Sequence, residues 1–211
     1  GLEMLSGVVR DVHFDYNNIR TQDYALNLSN INSSAAAASI NMTVGVPSLF
    51  LTGNTFESVA QARMITGINV SFIDNLFKTN FKFRNQITDL VFKGNTCEDG
   101  LILQATGTYI DCYFTDNDIH SKSTVAALEV NPAGVCDNVN FVGNRLYQPS
   151  GGLRALYIHE TNGGTVDNFT VVDNKLIIGS PTEFITFAGD NSFFLNNWNI
   201  RGNSSTSQTI T

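Results

Sequence analysis

The chain has 211 residues, 42% of them hydrophobic, with fifteen Phe, a formal net charge of −7 and a pI of about 4.8. That length and apolar content fit one domain with a substantial core and argue against disorder. Twelve Lys and Arg scattered along an acidic chain argue against a nucleic-acid partner. No apolar run is long enough to span a bilayer, and the start carries no charged-then-apolar leader pattern.

A nine-residue phrase returns eight times: a small polar residue, apolar, any, apolar, any, a turn-type residue, Asn, any, apolar. In chain order the copies are DVHFDYNNI, SLFLTGNTF, NVSFIDNLF, DLVFKGNTC, DCYFTDNDI, NVNFVGNRL, NFTVVDNKL and NWNIRGNSS. Their anchors are Asn17, Asn54, Asn75, Asn95, Asn117, Asn144, Asn174 and Asn203. Six positions before each anchor stand Asp11, Ser48, Asn69, Asp89, Asp111, Asn138, Asn168 and Asn197. Apolar residues two apart share one strand face, and the Gly, Asp or Asn before the anchor supplies positive φ or a cap. A helix is excluded because the apolar spacing is two rather than three or four.

Between the phrases lie YALNL, NFKF, LILQA, AALEV, ALYIH and FITF, which read as a second strand per repeat. Taking Phe81/Phe83, Leu101/Leu103, Ala126/Leu128, Leu156/Ile158 and Ile185/Phe187 as inward pairs predicts two outward columns. One holds Arg84, Gln104, Glu129, His159 and Ala188; the other holds Lys82, Ile102, Ala127, Tyr157 and Thr186.

Successive anchors are 37, 21, 20, 22, 27, 30 and 29 residues apart. Twenty to twenty-two residues fit one coil of an all-β parallel β-helix, each coil rising by ~4.8 Å. Equivalent residues then stack, apolar positions fill a continuous interior column, and the asparagines form a ladder of amides bonded to each other or to the backbone. The 18–48 segment, with its NINSSAAAASINMTV run, reads as an irregular or inserted coil. In 118–197 the coils carry turn-rich insertions (HSKST, NPAG, QPSGG, ETNGG, GSPTE, AGDNS) that are expected to gather beside one sheet as a groove. The whole of 1–211 reads as a single domain. Its ends offer no evident amphipathic cap, which suggests a fragment of a longer chain or ends covered by oligomer contacts. Cys97, Cys112 and Cys136 read as buried apolar residues, with no metal or disulfide spacing.

The phrase resembles the parallel β-helix repeat of the pectate-lyase-like superfamily over 11–205, and within it the chain looks most like a bacteriophage tailspike. The resemblance implies a right-handed, single-stranded β-helix of about eight coils, usually a homotrimer. It also implies recognition of bacterial surface polysaccharide, capsule or O-antigen, sometimes with cleavage by hydrolysis or elimination. The implied location is the virion tail, assembled in the host cytoplasm, the alternative being an extracellular or cell-surface bacterial protein. No cofactor and no metal is implied, and neither calcium-site nor polygalacturonase signatures occur. A different class stays open: a non-catalytic structural or adhesive β-helix acting as a rigid spacer.

Glycoside hydrolysis asks for two carboxylates flanking the bond. Glu129, Glu160, Glu183 and Asp190 lie in or beside the second strand of three long coils, with Glu129 expected to neighbour His159. A lyase would instead use His159 or Tyr157 as base. Tyr147, Tyr157 and Tyr113 are candidates for stacking on sugar rings. Arg154 could pair with an acidic sugar or make a surface salt bridge. Each of these also reads as an ordinary outward side chain. Trp198 is expected in the core, and His13 and His120 lack a second histidine at ligand spacing.

Overall fold

The computed structural model describes residues 2–5, 12–21, 26–29, 49–58, 62–103, 107–121, 126–131, 134–148, 154–160, 164–178, 183–189 and 194–207. Within them the chain is a parallel β-helix without helical segments. One 16-stranded and one 8-stranded sheet enclose a common apolar core. Equivalent positions of successive phrases pair directly, as in Phe14, Leu51, Phe72, Phe92, Phe114, Phe141, Val171 and Ile200. After each anchor a short strand turns onto the second sheet, where Ile19, Phe56, Phe77, Cys97, Ile119, Leu146, Leu176 and Ser205 stack in the same way.

The phenylalanines explain much of the cohesion. Phe72, Phe81, Phe83, Phe92, Phe114 and Phe141 are fully buried. Phe114 meets Phe92 at 5.8 Å and Phe141 at 4.8 Å between centroids. Each such ring withdraws from water a side chain worth ~1.5–3 kcal/mol, and the ring–ring contacts add to it. Trp198 joins the end of this column against Phe169, its indole N–H donating to the Val166 carbonyl at 3.2 Å. The three cysteines are buried free thiols, and burial raises the pKa of each.

At its interior rungs the asparagine ladder satisfies both polar atoms of each amide. Asn95 Nδ2 donates to Asn117 Oδ1 on the next rung at 3.3 Å and to the Phe72 carbonyl on the previous one at 2.9 Å. Its own Oδ1 accepts from the backbone N–H and Nδ2 of Asn75, at 2.9 and 3.0 Å. The same set repeats at Asn75, Asn117 and Asn144. Asn54, Asn75, Asn95, Asn117, Asn144 and Asn174 are buried.

Both polar columns of the phrase also mark corners. The residue before each anchor has φ between 54° and 68°, and the opening residues Asn69, Asp89, Asp111, Asn138, Asn168 and Asn197 have φ between 50° and 55°. Asn, Asp and Gly tolerate this left-handed region best. The pre-anchor column alternates a side chain with a glycine: Tyr16, Gly53, Asp74, Gly94, Asp116, Gly143, Asp173, Gly202. The reason is space. A Cβ at Gly143 would lie 2.7 Å from Asp116 Oδ1, and one at Gly53 would lie 2.5 Å from the Tyr16 ring. Each side chain occupies the room above the next rung's Cα.

Long strands cover two sides of the coil. In Phe81–Lys93 the buried residues Phe81 and Phe83 are followed by exposed Asn85 and Gln86, then by buried Ile87, Leu90 and Phe92. Positive φ at Asn85 and Asp89 sets these bends. The strand stretch before each opening residue, such as Val135–Val142 at its start, carries no repeated phrase and escapes sequence reading. Within the irregular 18–48 segment, Asn18–Thr21 and Leu26–Ser29 pair in register with the following coil, while 30–48 lie outside the described residues.

One expected register is corrected. Leu101 and Leu103 pair with Leu128 and Val130, not with Ala126 and Leu128. Ala126, Leu128 and Val130 share one parity, and the larger pair fills the interior. Ala127, expected outside, is buried, because the chain turns a corner there.

Replacing Asn95 by Leu strands buried donors on Asn75 and acceptors on Asn117, so the loss should be about 3 kcal/mol, against about 1 kcal/mol for Asn203→Leu at the part-buried ladder end. Chemical denaturation followed by circular dichroism measures both, and equal small losses would contradict the ladder. Gly143→Ala should cost about 2 kcal/mol from left-handed strain plus the clash with Asp116, and about 1 kcal/mol of that should vanish in the Asp116→Gly background. Strict additivity in that cycle would mean the two rungs do not interlock.

Candidate functional site

Three neighbouring strands gather most of the candidate residues: Ala126–Val130, Arg154–Glu160 and Glu183–Gly189. Leu128, Leu156 and Ile185, in or packed against the core, align, and Val130, Ile158 and Phe187 pair in the same register. Between these two apolar columns runs an outward one: Lys82, Ile102, Glu129, Tyr157 and Thr186. Alternation along a strand forces this placement once the flanking residues are buried.

Arg154 reaches this side through a corner. Ala155 and Leu156 are consecutive buried residues, so strict alternation breaks between them. Arg154 is thereby turned outward, like Tyr157 three places on. Its guanidinium carbon lies 4.1 Å from the centre of the Tyr157 ring. A cation over a half-buried aromatic ring such as this is worth on the order of 1 kcal/mol, and it holds the ring in one orientation. Glu129, half-buried, is the cross-rung neighbour of Tyr157. The result is a flat ring with a cation on it and a carboxylate one rung away.

The expected neighbour of Glu129, His159, is not beside it. His159 aligns with Ala188, two places further along than Tyr157. The reason is the two-residue shift at Ala126–Val130, which moves Glu129 from one outward column to the other. Glu183 aligns with Arg154, and Glu160 with Gly189. Glu183 is thus two rungs and three places from Glu129, a backbone separation of about 14 Å. The register therefore puts no second carboxylate next to Glu129. Asp190 lies outside the described residues, as do most of the turn-rich insertions.

Tyr147 belongs to a different sheet. It sits on Arg145–Gln148, where it pairs with His120 at 5.1 Å between ring centres. Asp118 bridges His120 Nε2 at 3.0 Å and Arg145 Nη1 at 3.4 Å. These groups are between 30% and 58% exposed, so the network is a surface one worth little to stability. Tyr113 is on the phrase sheet, its hydroxyl accepting from Asn138 Nδ2 at 3.1 Å. Among the described residues no three His, Cys, Asp or Glu are grouped to hold a metal ion.

Sequence reading grouped Lys82, Ile102, Tyr157 and Thr186 in one column, as the structure has them, and missed that Glu129 rather than Ala127 joins it. The missed signal was volume: AALEV contains three same-parity apolar residues, and only the larger two fit opposite Leu101 and Leu103. Set against known proteins, the chain matches no family, no curated protein and no solved structure.

The corrected register is directly testable. In parallel strands the Cα atoms of Glu129 and Tyr157 should be ~4.8 Å apart and those of Glu129 and His159 ~8 Å apart, inside and outside the reach of a disulfide. Glu129→Cys with Tyr157→Cys should crosslink on mild oxidation, and Glu129→Cys with His159→Cys should not. The reverse pattern in peptide mapping would restore the uncorrected alignment.

Proposed function

We propose that the chain is a tailspike-like member of the pectate-lyase-like β-helices that recognises bacterial surface polysaccharide, capsule or O-antigen. The observation carrying this reading is the Arg154–Tyr157 pair at 4.1 Å beside Glu129 on the outer face of the sheet. Sugars offer an apolar ring face bordered by hydroxyls. An aromatic ring with a planar cation over one face and a carboxylate one rung away can offer a sugar its other face and the hydrogen-bond partners such a face needs. Parallel stacking repeats outward positions at a fixed interval along the axis, which suits a ligand that is itself a repeat.

Recognition is favoured over cleavage by the same geometry. Hydrolysis uses two carboxyl groups ~5–5.5 Å or ~6.5–9.5 Å apart, and the neighbours of Glu129 in register are Ile102 and Tyr157. Homotrimeric assembly and a place in a virion tail belong to the same proposal. The competing reading, a rigid spacer, is favoured by the unbroken ladder and requires nothing of the outer face.

Binding to a panel of capsular and O-antigen polysaccharides separates the two. Tyr157→Ala and Arg154→Ala should each lower affinity about tenfold, a loss of ~1.4 kcal/mol, with melting unchanged. Glu129→Gln should leave the fold intact. Absence of binding by the parent chain to every glycan of the panel, or affinity indifferent to both variants, would favour the spacer.

A further inference from the structure

The same sheet carries a charge pattern that the linear sequence conceals. The chain has twelve Lys and Arg against nineteen Asp and Glu. Three of those twelve meet on two adjoining strands. Arg63 pairs across rungs with Lys82, and Arg84 stands two places beyond Lys82 on the outward side of Phe81–Lys93. Neighbouring rungs are ~4.8 Å apart and alternate residues ~6.6 Å, so the three are close; Arg63 is itself buried, and Lys82 and Arg84 are the cations this face presents. Among the described residues neither Lys82 nor Arg84 makes a salt bridge; the acidic partners seen elsewhere serve Arg20, Lys78, His120 and Arg145. Arg84 Nε is buried with no hydrogen-bond partner among the described residues. A buried guanidinium N–H left unpaired is costly and calls for an acceptor. Glu129 stands two rungs from Lys82, with Ile102 between, beyond direct pairing.

We propose that this face binds an acidic, carboxylate-bearing polysaccharide, whose carboxylates sit on Lys82 and Arg84 while a sugar ring lies against the face of Tyr157 that Arg154 leaves open. The inference rests on the polysaccharide reading above and narrows it to one chemical class. Lys82 and Arg84 supply the local positive potential that an otherwise acidic molecule lacks. The guanidinium of Arg84 matches a carboxylate in its planar donor geometry. The two halves of the strip are joined by the column Lys82, Ile102, Glu129, Tyr157, so a chain of sugars running along the axis passes over both. Ile102 offers the intervening ring an apolar contact. A nucleic acid fits less well, because the strip is short, is interrupted by Ile102 and Glu129, and belongs to a chain of net charge −7.

The test uses the full chain with two sets of probes at low and high ionic strength. The acidic set is polygalacturonate, alginate, hyaluronate, polysialic acid and acidic bacterial capsules. The neutral set is methyl-esterified polygalacturonate, dextran, mannan and neutral O-antigens, and single-stranded DNA is added as a polyanion without sugar carboxylates. The expected result is binding of an acidic glycan that weakens with salt and falls about tenfold or more in Lys82→Gln/Arg84→Gln, with melting unchanged. Binding confined to neutral glycans and unchanged in that variant would overturn the acidic class and leave the polysaccharide reading standing. DNA bound as tightly as the glycan, and lost in the same variant, would overturn it in favour of a general polyanion surface. No binding from either glycan set would remove both readings together.

Discussion

Everything in this molecule depends on buried amides that find their partners one rung away. A parallel coil cannot close its hydrogen bonds within itself, so each strand relies on the coils before and after it. The asparagine at the corner makes that dependence polar as well as apolar. Its Oδ1 receives two bonds from the preceding rung, and its Nδ2 gives one forward and one back. Any other side chain in the ladder would leave several buried groups unsatisfied at once. Ladder and phenylalanine column therefore enforce the same spacing by different forces: one by the cost of unmade hydrogen bonds, the other by removal of apolar surface from water.

Corner geometry adds a second level of specification. Left-handed residues at both ends of the phrase strand turn the chain at fixed places. The alternation of Asp with Gly before the anchors means that each rung differs from its neighbours in the space it fills. A slip of one rung would bring Asp116 against Asp-type rungs and leave voids at glycine ones. Register in a solenoid of near-identical repeats is a real problem, and this column works against the nearest wrong answer.

The parallel β-helix was legible because its signal is repeated. Eight copies of one phrase carry the period, the anchor and the apolar parity together, and each was where the structure has it. Strand stretches without a repeated phrase, such as the start of Val135–Val142, left no comparable mark. The candidate face was legible in part. Tyr157 and Arg154 were singled out as separate residues, but their contact follows from a corner at Ala155–Leu156 that alternation alone does not foresee. Glu129 was placed on the correct side and in the wrong column, since AALEV allows two alignments of equal parity. The gathering of Arg63, Lys82 and Arg84 was hidden by eighteen residues of intervening chain between Arg63 and Lys82. Only the rung pairing makes them neighbours.

Amide hydrogen exchange read residue by residue tests the ladder most directly. The backbone N–H groups of Asn75, Asn95, Asn117 and Asn144, each bonded to the next rung's side-chain oxygen, should exchange only on global unfolding. Exchange of those four at the rate of solvent-facing amides would contradict the account at its foundation.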